Sequence, residues 1–180
     1  KSTLDAQLDE WEELRYAVEN PVYIKEDWDW YGPDDGKFRF DVATESEQLL
    51  IAMHYEDDKI IKREFVYELQ DKFKLVLRPL VTQDSEVNTS VGEAIEIDIN
   101  LDGKMNILND SLQDLSIGQS VVKESRGGYV LEIRIDLAQL NLGTHNQWQI
   151  NVGVMDHDRP ENTKPSVLWW RPLDSSRDVL

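Results

Sequence analysis

The chain has no cysteine, so disulfides and thiolate metal sites are excluded. Long apolar runs are missing as well. The longest, residues 49–53, falls far short of the roughly 20 apolar residues a membrane-spanning helix needs. Histidine is scarce, and His54, His145 and His157 show no metal-ligand spacing such as the helical pair that holds zinc. Positive charge is in short supply: 19 Lys and Arg stand against 36 Asp and Glu, a formal net charge of -17. Such a surface repels phosphate backbones and argues against nucleic acid as a partner. It attracts cations, although net charge of this sign also serves plain solubility. No Gly-x-Ser-x-Gly elbow, phosphate loop or dinucleotide fingerprint occurs. A signal peptide is not visible either. A start at Lys1 without Met is expected of a trimmed chain or of a mature product, either of which could have lost a targeting signal.

What is present is a folded chain. It has 180 residues, 40% of them hydrophobic, with six Trp and six Tyr. That is enough to bury a core, and one domain over residues 1–180 is the simplest organisation. Period-two alternation dominates. Phe38, Phe40 and Val42 alternate with Lys37, Arg39 and Asp41. Phe73, Leu75 and Leu77 alternate with Lys72, Lys74 and Arg78. Ile95, Ile97 and Ile99 alternate with Glu96, Asp98 and Asn100, and residues 129–137 repeat the pattern. Each run predicts a strand with one wet face. Residues 49–55 are apolar on both parities except at His54, which predicts a more central strand. Trp148, Ile150, Val152 and Val154 share a parity and are expected to face the core.

Turn residues separate these runs. Pro33-Asp-Asp-Gly36 precedes one strand, Leu101-Asp-Gly-Lys104 predicts a hairpin, and Arg126-Gly-Gly128 introduces another strand. Many short strands without long helices between them predict an all-β sandwich or barrel. Two short helical pieces are expected, at residues 8–16 and as a single turn at 137–140. The polar stretch 81–93 is expected to be a mobile loop.

Several of these segments, in order, resemble family 9 carbohydrate-binding modules and their relatives. They are Asp9-Glu-Trp11, Trp28-Asp-Trp-Tyr-Gly-Pro-Asp-Asp35, Leu49-Leu-Ile-Ala-Met-His-Tyr-Glu-Asp-Asp58 and Gln70-Asp-Lys-Phe-Lys-Leu-Val-Leu-Arg-Pro79. Further along come Gly128-Tyr-Val-Leu-Glu-Ile-Arg-Ile-Asp-Leu-Ala-Gln-Leu140 and Val152-Gly-Val-Met-Asp-His-Asp158. The resemblance covers almost the whole chain and departs at residues 72–78, which are unusually basic for that position. It implies an all-β, jelly-roll-type antiparallel β-sandwich related to DOMON-like domains. It also implies a sugar-chain end held between two tryptophans, structural calcium, and attachment to secreted or cell-surface polysaccharide-active enzymes.

The residues themselves offer two constellations. In an extended segment Trp28 and Trp30 point to one side, which suits a flat aromatic surface for a sugar ring. Trp169 and Trp170 are adjacent, so in a strand only one of them faces outward, with Arg171 beside them. The bland reading is that these indoles fill the core, as Trp11 and Trp148 are expected to do. Polar partners are also required, and Asp29, Arg159 and Asn162 are close in sequence.

The second constellation is acidic. Asp57 and Asp58 end one predicted strand, and Asp156 and Asp158 end another. If those ends meet, their oxygens could surround one calcium ion; otherwise they are solvated loop ends. Asp98-x-Asn100-x-Asp102-Gly103 matches the first half of an EF-hand loop, but Asn109 stands where the closing Glu belongs. Haem is rejected, because Met53 and His54 are strand neighbours that point opposite ways. The leading expectation is a non-catalytic carbohydrate-binding module with a sugar as its partner. Its alternatives are an interaction sandwich without a sugar site and a hydrolase with an unrecognised carboxylate pair.

Overall fold

The computed structural model describes residues 3–19, 24–25, 30–62, 70–82, 89–91, 93–140, 147–158 and 165–171. Twelve strands run through them. They are β1 (Tyr16–Val18), β2 (Ile24–Lys25), β3 (Gly36–Glu45), β4 (Gln48–Asp57), β5 (Lys72–Thr82) and β6 (Thr89–Val91). After these come β7 (Ile95–Asn100), β8 (Met105–Ile107), β9 (Gly118–Ser125), β10 (Gly128–Asp136), β11 (Trp148–Asp156) and β12 (Ser166–Trp169). The first sheet has the order β1-β3-β4-β10-β9. The second has the order β2-β12-β11-β5-β7-β8, with β6 pairing to β5. All pairings are antiparallel. This is the expected all-β sandwich of jelly-roll type. Among the described residues no helix is long and apolar enough to cross a membrane.

Alternation becomes layering. Phe38 and Phe40 from β3, Leu131, Ile133 and Ile135 from β10, and Phe73, Leu75 and Leu77 from β5 meet in one core between the sheets. The other parity faces away. On β5 it is basic because β7 supplies the counter-charge: Lys74 Nζ lies 2.6 Å and Lys72 Nζ 3.4 Å from the Asp98 carboxylate. The three turns form as expected, and Gly103 and Gly127 take φ of 83° and 78°, where only glycine sits without strain.

β4 lies at the centre of the first sheet, and its second apolar face has a partner. Glu132, paired with Ala52 of β4, is 2% exposed on that outer face. Its carboxylate accepts hydrogen bonds from the Asp5 and Ala6 amides at 2.9 and 2.7 Å and from Trp11 Nε1 at 3.0 Å. The N-terminal segment is thereby latched across the sheet. This corrects the helix expected at 8–16: only a 3-10 turn (Leu8–Glu10) forms, because Trp11 is held by Glu132 and Tyr16 pairs with Phe40. We expect Glu132→Gln to destabilise the fold by about 1.5 kcal/mol, since one oxygen that took charge-assisted bonds becomes a donor. Faster tryptic cleavage after Arg15 would report the loosened latch.

Two other expectations change. Residues 137–140 form a turn, in which Asp136 Oδ1 accepts the Ala138 amide, and the short 3-10 helix lies instead at Asp110–Leu112. The stretch 81–93 is not simply a loop. Residues 80–82 pair with 89–91, so polar β-branched residues extend a sheet edge there.

Candidate functional site

Six aspartates converge at one end of the sandwich. β4 of the first sheet ends in Asp57 and β11 of the second ends in Asp156. Asp71 immediately precedes β5, Asp35 precedes β3, and Asp58 and Asp158 follow β4 and β11. Asp57, Asp71 and Asp156 form one triplet whose carboxylate oxygens lie within 4.8 Å of one another. Asp35, Asp58 and Asp158 form a second triplet of the same tightness. The four aspartates expected to meet do meet at this corner, divided between the two triplets. Asp35 and Asp71 were missed. Asp71 stood inside a segment read only as a strand, and Asp35 inside a turn.

The inner triplet is buried: Asp71 is 0%, Asp156 2% and Asp57 6% exposed. Asp71 accepts the Ile61 amide at 2.6 Å and the His157 amide at 2.9 Å, and Asp57 accepts the Lys59 amide at 2.8 Å. Asp57 Oδ2 and both oxygens of Asp156 are buried with no hydrogen-bond partner among the described residues. Burial, reinforced by mutual repulsion, pushes Asp156 up to about 9 and Asp71 up to about 8. Asp57 and Asp158 rise to about 6, again through burial first. Either protons or a cation must offset this crowding. The donor set is hard oxygen from several carboxylates on two sheets, which fits calcium. Asp57, Asp71 and Asp156 would hold such an ion, which would supply a counter-charge that ties the sheets together.

The aromatic residues are placed differently. Trp28 lies outside the described residues, as do Asp29, Arg159 and Asn162. Trp30 is half-buried against the core and donates its Nε1–H to the Gly36 carbonyl at 3.1 Å. Trp169 and Trp170 point to opposite faces of the second sheet, as strand alternation requires. Trp170 faces inward. Its ring lies 5.0 Å from Tyr16 and 5.1 Å from Phe40, with the Arg171 guanidinium 4.6 Å above it. Asn151 accepts the Arg171 amide and donates to its carbonyl, both at 3.1 Å, which fixes the end of β12. Trp169 faces outward with Val76, Met155 and Val167 but is only 4% exposed. Its ring lies over Gly153, its partner on β11. Among the described residues the open aromatic surface is Tyr31, 75% exposed, whose amide donates to Asp35 at the acidic corner. Strand alternation gives no signal for it, because Tyr31 lies in the loop before β3.

The sandwich is one met elsewhere. A family 9 carbohydrate-binding module from Caldicellulosiruptor kristjanssonii, solved in complex with glucose, superposes with a TM-score of 0.66 at 12% identity. The alignment covers 94% of this chain and 81% of that one. The same module in complex with cellotriose gives a TM-score of 0.66 at 12% identity, over 94% of this chain and 80% of that one. This chain therefore has the fold of the family 9 carbohydrate-binding modules. No protein-family profile matches it, and no curated protein matches it.

Proposed function

We propose that this chain is a non-catalytic carbohydrate-binding module that takes the end of an oligo- or polysaccharide and works beside a polysaccharide-active enzyme outside the cytoplasm. The observation that carries this reading is the outer face of the second sheet. There Trp169 lies over Gly153, and Asn151, Gln149, Lys74 and Arg78 follow along β11 and β5. A flat apolar ring beside amide and basic side chains matches a pyranose, which has apolar C–H faces and a rim of hydroxyls. Trp169 Nε1 and Gln149 Oε1 are buried without a hydrogen-bond partner among the described residues, a donor and an acceptor that sugar hydroxyls would satisfy. A sugar seated on Trp169 must displace the atoms that now cover the ring. Arg171 and Trp170 then act as the support of this edge, and Trp30 braces the start of β3 in the other sheet.

Titration with a panel of glycans, followed by tryptophan fluorescence and calorimetry, tests the reading. At least one neutral oligosaccharide should bind, and Trp169→Ala should weaken it about 30-fold, the loss of a buried aromatic contact of about 2 kcal/mol. Silence across the panel would instead favour a sandwich that keeps the fold without a sugar site. The enclosure of Trp169 and Trp170 speaks for that second reading. Hydrolysis of a glycan, lost on one Asp change, would replace both.

The acidic corner is proposed as a structural calcium site. The burial of Asp71 and Asp156, at 0% and 2% exposure, supports a role in holding an ion rather than in touching a sugar ring.

A further inference from the structure

We propose a second carbohydrate site, on the side of the sandwich where both sheets end, specific for uncharged oligosaccharides. The first sheet ends in β9 and the second in β8, each pairing on one side only among the described residues. Between these edges lies a cleft of about 850 Å3, lined by residues 103–107, 113, 115–121 and Leu4. That volume is within the range of about 300–1,000 Å3 typical of small-ligand sites.

Its charge sets it apart. One residue in five of this chain is Asp or Glu, yet among the described residues none that lines the cleft is, and Lys104 is their one charged member. The polar lining is neutral: Asn106, Gln113, Ser116, Gln119 and Ser120. Amide and hydroxyl side chains both donate and accept, which is what sugar hydroxyls do. Met105 and Leu115, the latter 40% exposed, supply apolar surface for C–H faces.

The backbone adds further groups. Asn100 donates to Lys104, Leu108 donates to Glu96, and Asn106 pairs with Asp98. Antiparallel bonding alternates, so the amides and carbonyls of Met105 and Ile107 face away from β7 into the cleft. On β9 the Asp136 amide bonds to Ile117, which turns the main-chain groups of Gly118 and Ser120 outward by the same rule. An added peptide strand would need an unbroken row of such groups. β8 offers only two such residues. The β9 row is interrupted at Ser120, whose Oγ donates to the Gly103 carbonyl at 2.5 Å. Scattered donors and acceptors over apolar patches fit a sugar better than a strand.

The inference rests on the carbohydrate-binding reading and adds a site distinct from Trp169. The test is amide and indole chemical-shift mapping of the whole chain with cello-, xylo- and malto-oligosaccharides, with oligogalacturonate as the charged comparison and a Thr-Val repeat hexapeptide as the peptide comparison. A neutral oligosaccharide should shift Met105, Ile107, Gly118 and Ser120. Asn106→Ala with Gln119→Ala should weaken that binding about tenfold, from two lost hydrogen bonds, while the melting temperature holds. Trp169→Ala should leave these shifts in place. Shifts confined to the Trp169 indole overturn the cleft and spare the function. No shift with any sugar overturns both. A response to the hexapeptide or to oligogalacturonate, but not to neutral sugars, overturns the ligand class.

Discussion

EDTA should lower the melting temperature of this protein by about 5–10 °C and added calcium should restore it, if an ion held at about 100 times its dissociation constant contributes about 2.7 kcal/mol to a domain of this size. The expectation follows from the inner triplet. Asp57, Asp71 and Asp156 come from both sheets, are nearly sealed from water, and leave three carboxylate oxygens without a donor among the described residues. An ion there satisfies those oxygens and links the end of β4 to the end of β11. Without it the corner must take up protons.

The pH dependence has a definite sign. Asp57 and Asp158 are raised to about 6, Asp71 to about 8 and Asp156 to about 9, against an ordinary value of 3.8. In the ion-free protein these groups keep protons in the folded state that the unfolded chain has already released. Their contribution to stability is complete below the ordinary value. It is lost as pH rises through the folded values, so the ion-free protein melts lower at about pH 8 than at about pH 5. Calcium at the proposed site would displace the same protons, so the stabilisation it adds should grow with pH. Thermal melts with EDTA and with calcium at both pH values check the two slopes. Asp156→Asn, which removes charge at a carboxylate whose oxygens accept no hydrogen bond among the described residues, should raise ion-free stability near neutral pH and abolish the calcium response. Identical melts with and without EDTA would sink the calcium corner.

The parts legible in the sequence were those set by period two and by turn chemistry. The parity of β3, β5, β7, β10 and β11, the Asp102-Gly103 and Gly127 turns, and the opposed faces of Trp169 and Trp170 all follow from local alternation. The meeting of Asp57 with Asp156 was foreseen only conditionally, since it depends on two sheets closing over one another. Asp71 and Asp35 joined them through a pairing register that no local pattern encodes. The helix expected at 8–16 failed for a tertiary reason: a single buried carboxylate, Glu132, more than a hundred residues away, outbids local helix preference. Burial of the tryptophans was equally hidden. A strand pattern says which face a side chain is on, but not whether that face is open, and both faces of the second sheet are covered at Trp169 and Trp170.

Gly153→Ala should be among the most damaging single-methyl changes near the proposed sugar face. A Cβ at position 153 would sit 2.6 Å from Trp169 Cε3, 2.9 Å from its Cδ2 and 2.7 Å from the Leu168 carbonyl oxygen. The first two contacts could be relieved by turning the indole. The third is backbone, so β12 itself must shift away from β11. Overpacking of this kind costs about 1–3 kcal/mol, whereas the entropy that alanine removes from the unfolded chain returns only about 0.4–1 kcal/mol. The sign is therefore destabilising, and at about 2–4 °C per kcal/mol the melting temperature falls by several degrees. Tryptophan emission should shift with it, because the ring most affected is held at 4% exposure. Since the strain is centred on the β11–β12 pairing, the calcium response should persist while any sugar response that depends on Trp169 is lost. A variant that melts with the wild type would mean that the indole does not rest on Gly153, and the aromatic platform would have to be sought at Tyr31 instead.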